Sequence, residues 1–288
     1  MNMDKTINNN IENLQSNFDM LWKEFTILFP IANDVIKKKG LSKFRNGFIK
    51  KYKELCDSNT NIITASCLLE RFICTFNSAQ QAVNFKSEVA CIASAIDKAL
   101  RLSSTDKTLN NKIKDIVKNM IITYDANLSS ENNDYRNRLN EILIYNWLSE
   151  CENIKVSFIE KDLGNGKKCD FVCQHIDDGS ILLFDVKSIN NLKIEKQDDS
   201  KTFSDFINQK VKDKFEEKTQ DISTLPNLKI IPILEYTEGL ESFRITVDNE
   251  IATPPLTVVK NTIDGVDNIS LSTLEEISNH ICHQRIAK

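Results

Sequence analysis

Residues 169–189, CDFVCQHIDDGSILLFDVKSI, decide how this chain is read. Two apolar arms of strand length flank Asp177-Asp178-Gly179-Ser180, a link in which Asp and Gly can take positive φ, and this predicts a β-hairpin. Side chains alternate faces along a strand, so Asp185 and Lys187 on the second arm (residues 181–189) project from the same side. The first arm, residues 169–175, brings Asp170. An acid and a base on a buried strand are costly to desolvate unless they are paired or hold an ion. The plain reading is a charge pair, Asp185 with Lys187, closing one end of a sheet; the other is chemistry.

Around the hairpin the sequence predicts a mixed sheet flanked by helices. Residues 135–149 (YRNRLNEILIYNWLS) form a helix with Glu141 in apolar surroundings. Residues 154–159 (IKVSFI) form a strand, and residues 163–168 (LGNGKK) turn into the hairpin. Downstream come an amphipathic helix over residues 203–222 and strands at 228–236 (LKIIPILEY) and 243–247 (FRITV). Pro232 argues for an edge or a bulge in the first of these. Ser272 and Glu275 make a capping box for a final helix to His283.

The other half reads differently. Between Gly47 and Gly164 there is no glycine, and between Pro30 and Pro226 no proline. Apolar residues at three- and four-residue spacing predict helices through residues 11–25, 41–55, 68–76, 79–102 and 109–124, the last capped by Thr105 or Ser104. The polar segment 127–134 sets the expected boundary: a helical domain, 1–128, for substrate grip, dimerisation or regulation, then a mixed-sheet domain, 129–288. The first part holds 18 Lys and Arg against 13 Asp and Glu, a net of +5; the second holds 19 against 28, a net of −9. The two halves are expected to face different partners.

The basic excess is concentrated in KKKGLSKFRNGFIKKYK, where Lys37, Lys38, Lys39, Lys43, Arg45, Lys50, Lys51 and Lys53 occur without an acid. A basic face interleaved with aromatics suits phosphate neutralisation, which makes Lys43, Arg45, Lys50, Lys51 and Lys53 candidate nucleic-acid contacts. A solvated face over a Phe44, Phe48 and Tyr52 core is the alternative, and an anionic membrane surface a third.

Composition excludes some classes. With 41% hydrophobic and 27% charged residues the chain is of ordinary globular make-up. It has no apolar run of membrane-spanning length, and its N-terminus is polar and Asn-rich, so a cytoplasmic protein is expected. Eight cysteines scattered through element interiors suit reduced thiols. A zinc site combining Cys169, Cys173 and His175 with His280, Cys282 and His283 is the metal alternative, weakened by the absence of a C-x-x-C pair.

Asp170, then Asp185-Val186-Lys187 at the end of the hairpin, with Glu141 upstream, resembles the PD-(D/E)XK nuclease superfamily over about residues 130–250. Cys169 stands where that motif often has proline. The resemblance implies an α+β or α/β chain, with a helical domain before a restriction-endonuclease-like mixed sheet flanked by helices. It implies Mg²⁺, with Mn²⁺ a possible substitute, held by Asp170, Asp185, the Val186 carbonyl and Glu141, and Lys187 holding or deprotonating the attacking water. The helix after the lysine lacks a Gln-x-x-x-Tyr pattern, which leaves Gln209 and Lys210 as candidate substrate contacts. The implied activity is hydrolysis of DNA, as an endonuclease of a prokaryotic restriction or antiphage system, acting as a homodimer or as a subunit of a complex. Two alternatives stay open: an RNA-cleaving nuclease, and a non-cleaving nucleic-acid- or partner-binding module on the same fold.

Overall fold

The structure, a computed structural model, describes residues 17–57, 67–75, 79–122, 135–189, 199–222, 227–235, 244–263 and 266–273. For residues 51–57, 74–75, 79–87, 260–263 and 266–270 it describes the backbone alone. Two compact units result: Met1–Leu100 with Asn110–Leu139, and Arg101–Leu109 with Asn140–Lys288.

The first unit is helical. Its elements are α1 (residues 17–28), α2 (Ile31–Val35), α3 (Lys38–Asp57), α4 (Leu68–Thr75), α5 (Ala79–Leu102) and α6 (Lys107–Ile121), followed by the first turn of α7 (Tyr135–Glu150). The core is aromatic: Phe18, Phe25, Phe29, Phe44, Phe48 and Phe72 are all buried. Phe25 lies 5.0 Å from Phe29 and meets Phe72 edge-on at 5.4 Å, centroid to centroid. Pro30 separates α1 from α2, as expected of a residue that lacks an N–H. The cap of α6 is Asp106, not Thr105 or Ser104. Its carboxylate accepts from the N–H groups of Thr108 (2.8 Å) and Leu109 (3.1 Å), while the Ser104 hydroxyl turns back to the Arg101 carbonyl.

The second unit is built on a six-stranded mixed sheet in the order β1-β2-β3-β4-β5-β6. The strands are β1 (Ile154–Asp162), β2 (Lys168–His175), β3 (Ile181–Ile189), β4 (Leu228–Glu235), β5 (Leu256–Ile263) and β6 (Val266–Thr273). β1, β2 and β3 form an antiparallel meander; α8 (Ser200–Thr219) then lies between β3 and β4, which run parallel. β5 continues parallel to β4, and β6 turns back antiparallel. Such a parallel step needs a crossover, and α8 supplies it. In the β2–β3 turn only Gly179 has positive φ; neither aspartate does.

Three expectations are corrected here. Pro232 does not mark an edge, because β4 is interior. Ile230 exchanges backbone hydrogen bonds with residues 251 and 253, so Pro232, two positions on, faces the same neighbour. The β4–β5 ladder proper begins only at Ile233↔Leu256, and the missing N–H falls in that gap. Second, Phe243 lies outside the described residues and 244–247 do not join the sheet. Their backbone groups bond to side chains of α8: the Ser204 hydroxyl accepts from Thr246 N–H (3.0 Å), and Asn208 donates to the Thr246 carbonyl (3.0 Å) and accepts from Asp248 N–H (3.2 Å). Third, Ser272 does not begin a helix: β6 carries it opposite Thr257. Residues 274–283 lie outside the described residues.

The core beneath α8 joins Phe203, Ile207 and Val211 to Ile189, Ile230, Leu234 and Ala252. At about 1.5–3 kcal/mol per buried apolar side chain, these three α8 residues hold the helix on the sheet. That fixes everything α8 presents to β3.

Candidate active site

The β2–β3 ladder runs from Gln174↔Ile181 to Phe171↔Phe184 and ends there. The next pair in register would be Asp170 opposite Asp185, and directly opposed residues share a face. In place of a further ladder bond, Val186 N–H donates to Asp170 Oδ2 (2.8 Å). Leu183 donates its N–H to Asn227, at the start of β4. Backbone groups alternate sides along a strand, so Asp185 and Lys187 also aim theirs at β4, and Val186 aims both its N–H and its carbonyl at β2. The hairpin thus opens into a fork with two carboxylates on one face and the Val186 carbonyl at the opened edge.

Asp185 is fully buried, while Asp170 keeps partial exposure. Burial first, then the charges of Asp185 and Glu141, raise the Asp170 carboxyl well above the usual carboxylate range; the Val186 N–H and Lys218 pull the other way. Glu141 sits on α7 beside Asn140, whose amide donates to Ser188 Oγ (2.9 Å). Ser188 alternates with Lys187, so α7 is tethered to the face opposite the two aspartates.

The counter-charge to Asp185 comes from α8. Lys218 Nζ stands 3.0 Å from Oδ1 and Lys214 Nζ 3.6 Å from Oδ2. The Lys218 contact is of hydrogen-bond length, and the charge of Asp185 and a hydrogen bond to it both raise the Lys218 ammonium. The pairing is therefore charge-assisted. The expected Asp185–Lys187 pair is not formed. Lys214 and Lys218, on the helix packed over that face, occupy the two oxygens of Asp185 in its place.

Lys218 is buried and anchored on several sides. Its Nζ donates to the Lys168 carbonyl. Its own carbonyl accepts from Asn165 Nδ2 (3.1 Å), which also bonds the Gln220 carbonyl (2.7 Å). Asn165 lies in the β1–β2 turn between Gly164 and Gly166, both at positive φ, with open space around each where a Cβ would stand. Those glycines answer a backbone requirement, not a lack of room. Burial alone would lower the Lys218 ammonium; Asp185 and Asp170 outweigh it, and the net shift is upward.

Lys187 behaves oppositely. Half-buried on the Asp185 face, it is lowered by desolvation, then by the like charges of Lys214 and Lys210, with Glu217 and Asp213 opposing. Lys210 therefore lies within electrostatic range of Lys187, and its Nζ sits 5.5 Å from the Phe206 ring centroid. Gln209 does not join them. It donates to Asp213 (2.6 Å) and lines an open recess with Asp205, Asn208, Lys212, Asp248 and Ile251.

In the helical unit, Phe44 and Phe48 are core residues, while Lys43 and Lys50 are exposed. Arg45 lies over Phe18 (5.5 Å to the centroid) and 4.0 Å from Asp19. The side chains of Lys51, Tyr52 and Lys53 lie outside the described residues. On the sheet, burial raises the Cys169 thiol to about 11 and the Cys173 thiol to about 12, the reverse of what thiolate ligands need. His175 Nδ1 lies 3.4 Å from Asp178. His280, Cys282 and His283 lie outside the described residues.

Sequence reasoning missed Lys214 and Lys218. The signal was the spacing of α8 itself: the buried stripe Phe203, Ile207, Val211 continues at 214 and 218, where it turns from apolar to basic.

For a divalent ion the donor set fits in kind. All donors are oxygens, burial and then the charges of Asp185 and Glu141 raise Asp170, and Asp185 has two buried oxygens that face only ammonium groups. Among the described residues no three acidic, His or Cys side chains stand close enough together to hold a metal ion, so Glu141, Asp170 and Asp185 are not gathered into one ligand cluster. Among them, too, no helix is long and apolar enough to cross a membrane. Comparison with protein-family models, with curated proteins and with solved structures finds no match.

Proposed function

We propose that this chain is a metal-dependent nuclease that hydrolyses phosphodiester bonds of DNA, with a restriction-endonuclease-like core in its second unit. The observation that carries the reading is the fork: Asp170 and Asp185 oppose each other at the open end of the β2–β3 hairpin, with Glu141 close enough to raise Asp170 and Lys187 on the Asp185 face. The element order, α7, then the meander β1–β3, then α8 crossing to a parallel β4, supports the same reading.

Asp170, Asp185 and the Val186 carbonyl, with Glu141, would hold Mg²⁺, or Mn²⁺ in its place. Bound there, such an ion acidifies a water and offsets charge on a reacting phosphoryl group. Lys187, lowered by burial and by its lysine neighbours, is suited to orient that water or take its proton. Lys210 and Lys214 add positive charge on the same side, where a phosphate must lie. The exposed lysines of α3 give the helical unit a surface for phosphate contacts. A role as an endonuclease of a prokaryotic restriction or antiphage system, working as a twofold dimer so that both strands are cut, completes the proposal.

A specific observation favours a second reading, a non-cleaving binding module: two lysines already neutralise Asp185. Plasmid and RNA cleavage with Mg²⁺, Mn²⁺ or EDTA, run beside Lys187→Met and Asp170→Asn, separates the two. The nuclease reading expects metal-dependent cleavage lost in both variants with binding retained. Cleavage that persists in either variant, or binding without any cleavage in the parent chain, overturns it.

A further inference from the structure

We propose that Lys218 is the built-in counter-ion of Asp185 against which a divalent cation must compete, so that it sets how tightly this protein takes a metal. The inference rests on the metal-site reading above and adds to it a residue that lies outside the D-x-K triplet.

Asp185 has no exposed surface, so water cannot solvate its charge. The two ammonium groups beside it stand where a cation would be drawn. Each carboxylate oxygen meets one ammonium and has a further lone pair that a harder partner can use. Of the two lysines, Lys218 is the fixed one. The Lys168 carbonyl holds its Nζ, and Asn165 holds its backbone carbonyl. Lys214 is the looser one, more exposed and also paired with Glu217 at 3.6 Å. An ammonium held against a carboxylate repels a second cation arriving at the same oxygens. Removing that charge while keeping the apolar stem should release Asp185 to the metal without emptying the space beneath α8. Lys218 is a positioning residue in this proposal: it acts on the reaction only through Asp185.

The test is Mn²⁺ binding to the full chain at neutral pH, read by the electron paramagnetic resonance of free Mn²⁺. Lys218→Met should bind Mn²⁺ at least about tenfold more tightly than the parent chain. Lys218→Arg, which keeps the charge, should match the parent, and adding Asp170→Asn to Lys218→Met should remove the gain. Equal or weaker binding by Lys218→Met, where the parent does bind, overturns this proposal and leaves the metal-site reading standing. No Mn²⁺ binding by either protein overturns both. Should Lys218→Met fail to fold, Lys214→Met decides: a gain of about threefold supports the proposal and an unchanged affinity overturns it.

Discussion

Lys218 Nζ stands 3.0 Å from Asp185 Oδ1, so the aspartate of the D-x-K triplet takes its counter-charge from α8 and not from its own strand. Both partners are buried, which gives the pair a large effect when it is broken and a small one when it is replaced whole. Asp185→Asn is expected to lower the unfolding free energy by about 3–5 kcal/mol, because it strands a buried ammonium. Asp185→Leu combined with Lys218→Met should recover most of that loss. Urea denaturation of the two variants checks this; equal losses in both would remove the buried-pair account.

Asp170 carries a pH signature. Its native carboxyl is raised, so its favourable share of stability is present below the unfolded carboxylate value of about 3.9 and is lost as pH rises toward the native value. Asp170→Asn should therefore raise Tm at pH 7, and its advantage should vanish below about pH 4. Thermal melts across that range test the sign. An advantage that grows with acidity would contradict it.

Lys187 should show a trade between stability and activity. Its ammonium is lowered by burial and by Lys214 and Lys210, so the charged form is disfavoured in the folded state. Stability is lost as pH falls through the lowered native value, and at neutral pH that loss is already in force. Lys187→Met is expected to melt at a higher temperature than the parent at neutral pH while kcat for cleavage drops by about 10²–10⁴-fold. A melt at lower temperature would place Lys187 in a supporting pair instead.

The two proposed nucleic-acid surfaces are separable by mutation. Lys43→Glu with Lys50→Glu on α3 should weaken DNA binding and reduce the salt slope by roughly 0.9 for each phosphate that is no longer neutralised. Lys210→Ala should weaken binding as well. Gln209→Ala should leave it unchanged, because Gln209 lines the recess with Asp205 and Asp248. Titrations at several salt concentrations distinguish these outcomes.

Local patterns reveal some of this architecture and not the rest. The hairpin arms and α5 are legible to within a residue, because a strand of β-branched and aromatic residues bounded by a Gly turn, and a long breaker-free helix, are both set locally. β5 and β6 escape the sequence reading although Asp264-Gly265, flanked by Thr- and Val-bearing runs, carries a strong hairpin signal. A capping box at Ser272 competes with it, and pairing with β4 and β5 wins. The aspartates can be read from the hairpin register alone. The lysines facing them cannot, because a helical lysine looks solvated until the strand beneath it is known to carry a buried acid. Segment 244–247 fails for a related reason: its apolar alternation suits a strand, yet α8 side chains take the backbone bonds a neighbouring strand would have used.

Asn165 gives the tip of the β1–β2 turn an unusual sensitivity. Hairpin tips are where reporters, tags and grafted epitopes are commonly inserted, because little depends on them. Here the tip holds the last turn of α8, and through it the lysine against Asp185. A graft between Leu163 and Lys168 would therefore disturb the forked end of the hairpin from a distance. The link at Asp177–Ser180, which makes its hydrogen bonds within its own hairpin, is the better place to put a label.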